Sequence, residues 1–147
     1  MPESLSQPDR IDTLWDYDHP AESEADFRRA LETLDEQADA ALRPELMTQI
    51  ARAQGLQRRF DDAHAMLDAV EAQLDGSPPR VRVRYLLERG RVYNSSRQPA
   101  RAQPYFAGAW ELASTAGEDI LAIDAAHMLA IIAAPEASLV WNQRALE

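Results

Sequence analysis

Apolar residues recur at intervals of three and four positions along much of the chain. Two stretches show this spacing clearly: Phe60, Ala63, Met66, Leu67, Val70 and Leu74, and then Ala102, Phe106, Ala109, Trp110 and Ala113. The period is that of an amphipathic α-helix that buries one face. No stretch alternates apolar and polar residues between hairpin turns, as a half-buried strand would. The pattern therefore predicts an all-α protein.

Proline and glycine mark where these helices begin and end. Five prolines stand where a first helical turn would begin: Pro20, Pro44, Pro79, Pro99 and Pro135. A helix start tolerates proline because the first backbone N–H groups have no partner within the helix. Gly76 and Gly117 stand where helices would end. We expect six or seven helices with short loops, in a single domain over residues 1–147.

Two segments of the chain repeat each other in register. When residues 59–74 are laid over residues 98–113, Ala63 falls on Ala102, Leu67 on Phe106 and Val70 on Ala109. The repeat extends upstream, where Ala51 falls on Gly90 and Gln54 on Tyr93. Self-similarity of this length is typical of stacked helix pairs, in which each pair buries its apolar face on the next.

The pattern of small and large residues resembles the tetratricopeptide repeat. Gly90, Tyr93, Ala102, Phe106 and Ala109 carry the resemblance best. It implies a short right-handed solenoid of antiparallel helix pairs, with about three and a half repeats: a truncated leading unit over residues 14–40, then units over 44–76, 79–116 and 118–146. The distance of 39 residues from Ala63 to Ala102 exceeds the family's usual period. A longer-period solenoid of the HEAT type is therefore an open alternative.

The composition removes several classes of enzyme. The chain has no cysteine, and all fifteen of its cationic residues are arginine, which excludes thiolate metal sites, phosphate-loop lysines and Schiff-base lysines. His19, His64 and His127 stand apart in the sequence, and the acidic residues from Asp16 to Asp26 lack the glycine of a calcium loop. We expect no catalytic residues, no metal and no cofactor.

The charge and hydropathy of the chain bear on its location and partners. A net charge of −10 disfavours nucleic acid and anionic lipid as partners. The N-terminal residues do not form a signal peptide, and no apolar run is long enough to span a bilayer. We therefore expect a cytoplasmic protein that does not bind membranes.

The acidic chain contains one basic segment, and the candidate site lies around it. Residues 80–101 hold seven arginines and one acid. In the tetratricopeptide family the first helix of each unit lines a concave groove, and here the residues expected on that face are Gln49, Arg52, Arg84, Glu88, Arg91, Asn94 and His127. Arginine binds carboxylates with two parallel hydrogen bonds, so an acidic peptide or a C-terminal carboxylate is the expected kind of ligand. The alternative is that these arginines pair with acids of the same chain.

The sequence thus predicts a protein–protein interaction module, or scaffold, that holds a partner protein or peptide in its groove. A regulatory protein that binds a small ligand or a nucleotide in the same groove is the alternative. A homodimer is a further expectation, because the segment from Ile120 to Ile132 is apolar almost all round and must bury more than one side. The other reading is that neighbouring helices wrap this segment.

Overall fold

A computed structural model describes residues 11–35, 40–133 and Arg144. These residues form six α-helices and no strand: α1 (Pro20–Glu32), α2 (Leu42–Leu56), α3 (Phe60–Glu71), α4 (Pro79–Ser95), α5 (Pro99–Ala116) and α6 (Asp119–Ile132). The predicted all-α class is confirmed. The predicted last helix, from Pro135 to Leu146, lies outside the described residues except for Arg144.

Four of the predicted helix boundaries match the structure, whereas α3 ends at Glu71, five residues before Gly76. Pro20, Pro79 and Pro99 are the first residues of α1, α4 and α5, whereas α2 begins at Leu42, two residues before Pro44. Gly117 follows α5 in the left-handed conformation, with φ of 76°. Glycine adopts this conformation without the steric cost of a Cβ atom, so it ends the helix cleanly.

Each helix packs against the next one in the chain, and α4 also contacts α2 and α6. Three apolar clusters fill the spaces between the helices. The first joins residue Ile11, α1 and α2; the second joins α2, α3 and α4; the third joins α4, α5 and α6. The equivalent residues predicted on the second helix of each of the two units are fully buried: Ala63, Leu67 and Val70 in α3, and Ala102, Phe106 and Ala109 in α5.

The internal repeat extends to the backbone of the loops. Arg58 follows α2 with φ of 62°, and Arg97 follows α4 with φ of 67°. After each of them the chain donates a hydrogen bond back into the helix, from Arg59 N to Gln54 O at 2.9 Å and from Gln98 N to Tyr93 O at 2.8 Å. These bonds close the same type of helix end, in which a left-handed residue turns the chain. The two turns therefore repeat in conformation as well as in spacing.

Helix α6 is apolar and only partly covered by the other described residues. Leu121 and Leu129 are buried, whereas Ile120, Ile123 and Ile131 are exposed. Residues 134–143 follow directly and lie outside the described residues, so the homodimer stays a prediction. None of the described helices has both the length and the apolarity that a membrane crossing requires.

The close approach of Gly90 to Phe106 provides a test of the packing between α4 and α5. A Cβ atom added at Gly90 would lie 2.5 Å from Cε1 of Phe106, whose side chain is fully buried. We expect Gly90→Ala to lower the free energy of unfolding by about 1–3 kcal/mol, because the ring has no room to move. Urea denaturation followed by circular dichroism measures the change.

Gly55→Ala is the matched control for Gly90→Ala. Its added Cβ would have Val92 as its nearest neighbour, at 3.8 Å. Alanine has the higher helix propensity, so the free energy of unfolding should hold or rise by up to about 1 kcal/mol. Equal effects of the two substitutions would contradict the close approach of α4 and α5.

Candidate functional site

The basic segment pairs with acids of neighbouring helices. Glu45 of α2 is 2% exposed, and its Oε2 accepts hydrogen bonds from Nε of Arg80 and Nε of Arg84, each at 2.7 Å. Arg80 also donates from Nη1 to Glu118, directly before α6, at 3.2 Å. A buried carboxylate needs such partners, since leaving water without them costs several kcal/mol. Glu45 therefore ties α2 to the first two turns of α4.

A second ion-paired group lies farther along α4. Nη1 of Arg91 donates to Oε2 of Glu88 at 2.6 Å, and its Nη2 donates to both carboxylate oxygens of Asp124 on α6, each at 2.5 Å. Burial opposes the charge of Arg91, but the two carboxylates outweigh it and raise the pKa of Arg91 above its ordinary value. Arg52 of α2 completes the group, with Nε 3.9 Å from Oε1 of Glu88.

The segment before α1 lies against the same face of α2. Nε1 of Trp15 donates to Oε1 of Gln49 at 2.9 Å, and the ring of Trp15 stacks on Tyr17. The guanidinium of Arg52 lies 4.9 Å from the centre of the Tyr17 ring, a distance typical of a cation–π contact. Oδ1 of Asp12 lies 3.8 Å from Nη2 of Arg84. Part of the predicted groove is therefore covered by the chain itself.

Beyond Arg52 the face opens into a cleft of about 190 Å³ between the C-terminal ends of α2 and α4. We call it the Leu56 cleft, after a leucine whose side chain is 48% exposed at its margin. Its lining residues are Arg52, Gly55 and Leu56 of α2, Glu88, Arg91, Val92, Asn94 and Ser95 of α4, and Met128 of α6.

The structure brings four of the seven predicted site residues together and places the other three apart from them. Arg52, Glu88, Arg91 and Asn94 come together in the Leu56 cleft. The other three lie elsewhere: Gln49 is fully buried under Trp15, Arg84 is 7% exposed and bound to Glu45, and His127 is exposed on α6 and does not line this cleft.

Several residues of this face were not among the predicted contact residues. They are Trp15, Tyr17, Glu45, Leu56, Asp124 and Met128. The repeat itself held a signal for one of them. Glu45 and Arg84 are 39 residues apart, which is the spacing between equivalent positions, so an acid and an arginine stand at the same place in adjacent units.

Arg89 lies on another side of α4 and pairs with α3. Its Nη2 donates to Oδ1 of Asp68 at 2.8 Å, and its Nη1 lies 2.9 Å from Nδ1 of His64. Burial, and next the charge of Arg89, lower the pKa of His64, while Asp68 and Asp61 oppose them in part. The neutral imidazole accepts the arginine's hydrogen bond at Nδ1, whereas a protonated ring would place a donor against a donor.

One cluster with metal-ligand chemistry lies at the start of α1. Asp16, His19 and Glu22 bring ligand atoms within 4.8 Å of one another, and all three side chains are exposed. Nδ1 of His19 lies 2.9 Å from Oδ2 of Asp16, and this hydrogen bond raises the pKa of His19. The hydrogen bond and the start of the helix account for the cluster without a metal.

Comparison of the chain with protein-family models, with curated proteins and with solved structures finds no significant match. The resemblance to the tetratricopeptide family therefore stays a prediction.

The buried ion pairs of Glu45 give a second test. Glu45→Gln keeps the shape of the side chain but leaves Arg80 and Arg84 without their shared charge. We expect a loss of about 3 kcal/mol in the free energy of unfolding, since breaking a buried pair leaves a buried charge without its partner.

Asp26→Asn is the control, because it breaks an ion pair with the exposed Arg29 on α1. It should lower the free energy of unfolding by less than about 1 kcal/mol. Urea denaturation measures both, and equal losses would contradict the buried role of Glu45.

The lowered pKa of His64 predicts a pH dependence of stability. The unfolded chain takes up a proton at His64 near pH 6.5, whereas the folded chain resists it, so the unfolded state binds more protons as the pH falls. Stability from His64 is therefore present above about pH 6.5 and is lost on acidification. We expect the wild type to lose more stability than His64→Gln between about pH 7.5 and 5.5.

His19→Gln is the matched control for His64→Gln. Because the pKa of His19 is raised in the folded chain, its contribution is present at low pH and is lost as the pH rises. Removing His19 should therefore make the loss of stability on acidification steeper. Thermal unfolding across the pH range measures all three proteins, and a common pH profile would contradict both assignments.

Proposed function

We propose that the chain is an interaction module of the tetratricopeptide type, built as a solenoid of helix pairs, which binds a segment of a partner protein in the Leu56 cleft. Contacts of α4 with both α2 and α6 support the solenoid, because they align alternate helices along one face. The equivalent turns at Arg58 and Arg97 also support it.

The observation that carries the proposed function is the mixed lining of the cleft. Leu56, Val92 and Met128 provide apolar contact, and Arg52, Glu88, Arg91, Asn94 and Ser95 surround them with polar groups. Binding sites combine apolar lining with a few placed polar groups in this way. The volume of about 190 Å³ is below the range of roughly 300–1,000 Å³ typical of sites for whole small molecules. The cleft suits one side chain of a longer polypeptide.

The ion pairs change the kind of partner that the proposal requires. Arg80, Arg84, Arg89 and Arg91 already bond carboxylates of this chain, so the basic segment no longer argues for an acidic peptide. For the same reason the pairing lends no support to a nucleotide as the ligand, since a phosphate would have to displace these carboxylates. Shape and hydrogen bonding in the cleft are the better basis for recognition.

Selection from a random-peptide library tests the proposed function. We expect the purified chain to enrich peptides whose binding is lost in Leu56→Glu, because a carboxylate would then stand in the apolar part of the cleft. Leu56 is about half exposed, so this substitution should leave the fold intact. Fluorescence anisotropy of labelled peptides measures the affinities. We expect Leu56→Glu to bind the peptides at least about tenfold more weakly than the wild type, a difference of about 1.4 kcal/mol.

Ala65→Glu is the control, because it adds the same charge at an exposed position of α3 away from the cleft. It should bind the selected peptides as the wild type does. Peptides that bind the wild type and Leu56→Glu equally would overturn the cleft as the binding site.

A further inference from the structure

One oxygen atom beside the Leu56 cleft lacks a hydrogen bond. Glu88 is 1% exposed, and while its Oε2 accepts from Arg91, its Oε1 accepts no hydrogen bond from the described residues. The nearest cationic atom is Nε of Arg52, at 3.9 Å, beyond hydrogen-bonding range. Buried polar atoms in folded proteins nearly always have a partner. Glu88 also lines the cleft, and a molecule bound there can supply the missing donor once the side chains that cover Oε1 shift.

The charges around this oxygen select the kind of donor. Arg52 and Arg91 balance Glu88 and Asp124, so the group has no net charge. A cationic donor at Oε1 would also face the guanidinium of Arg52, and an anion would bring no donor to Glu88. An uncharged N–H or O–H group gains the hydrogen bond without either repulsion.

The rest of the lining requires an apolar body attached to that donor. Leu56, Val92 and Met128 line the cleft beside Glu88. Tyrosine and tryptophan side chains combine a large apolar ring with one uncharged donor, and they bury well where one end is apolar and the other polar. Arg52 already contacts the rings of Trp15 and Tyr17, and its guanidinium at the cleft offers another ring the same kind of contact.

We infer that the Leu56 cleft recognises a tyrosine or tryptophan side chain of the partner, whose O–H or N–H donates to Oε1 of Glu88. This inference rests on the proposed function and specifies the residue that the cleft binds. The ring lies against Leu56, Val92 and Met128, and the bond to Glu88 distinguishes it from phenylalanine. Arg91 keeps Oε2 of Glu88 occupied, so Oε1 is the oxygen left to accept from the ligand.

Blocked amino acids test the inference without a known partner. N-acetyl-tyrosinamide should shift the backbone amide signals of Gly55, Leu56, Val92 and Ser95 saturably in an NMR titration of the full chain. N-acetyl-phenylalaninamide differs only by the missing hydroxyl and should bind at least about fivefold more weakly, the effect of one hydrogen bond. N-acetyl-lysinamide, which carries a cation, should bind most weakly of the three.

Two variants assign the effect to the cleft. In Glu88→Gln the amide oxygen should turn to Arg91 and present the NH2 group to the ligand. N-acetyl-tryptophanamide, whose indole N–H can only donate, should therefore bind this variant at least about fivefold more weakly than the wild type. Leu56→Glu should abolish the shifts with every probe. Because this variant retains Glu88, it still tests the cleft if Glu88→Gln does not fold. Circular dichroism checks the fold of both.

Equal binding of the tyrosine and phenylalanine probes, strongest binding of the lysine probe, or no saturable shift at the cleft would overturn the inference. These outcomes are separable from a failure of the proposed function. Library peptides that need Leu56 but contain neither tyrosine nor tryptophan would uphold the cleft as a binding site and reject this choice of side chain.

Discussion

The burial of Glu45 between Arg80 and Arg84 is the constraint on which the rest of the structure depends. A carboxylate that is 2% exposed must be fully compensated, and its two partners lie one turn apart on α4, so the helix can approach α2 in only one register. Replacing such a group by apolar residues is often neutral for stability. Its main effect is therefore on geometry, since it fixes how α4 packs against α2.

The same principle operates along the face, because arginines of one helix meet acids of a neighbouring helix. Arg52 and Arg91 are at equivalent positions 39 residues apart, as are Gln49 and Glu88. Between the packed helices, Glu45 meets Arg84, Arg52 approaches Glu88, and Arg91 meets Asp124 of α6. The basic segment is thus the middle member of an acidic, basic and acidic series. Four of its seven arginines bond carboxylates of this chain, which accounts for much of its charge.

The sequence was sufficient for the helices and their buried faces, because periodicity depends on residues close together in the chain. The equivalent residues at Ala63 and Ala102 lie in the core as predicted. The partners of the charged residues could not be predicted in the same way. Local sequence does not distinguish an arginine that binds a ligand from one that binds Glu45. Trp15 is a further example: its hydrogen bond to Gln49 crosses from the segment before α1 to α2, and no pattern within either segment indicates that contact.

The Leu56 cleft lies where the chain's own residues stop covering this face and pairing with its polar groups. The segment from Asp12 to Tyr17 covers α2 as far as Arg52, and there the chain turns away to begin α1 at Pro20. One turn farther along α2, Leu56 has no such cover, and across from it Glu88 has one oxygen bound and one unbound. Elsewhere on this face each described charge has a partner within the chain or lies near the surface. A site for another molecule is expected where apolar surface and an unmet hydrogen-bond acceptor coincide, and on the described part of this face both features occur at the ends of α2 and α4.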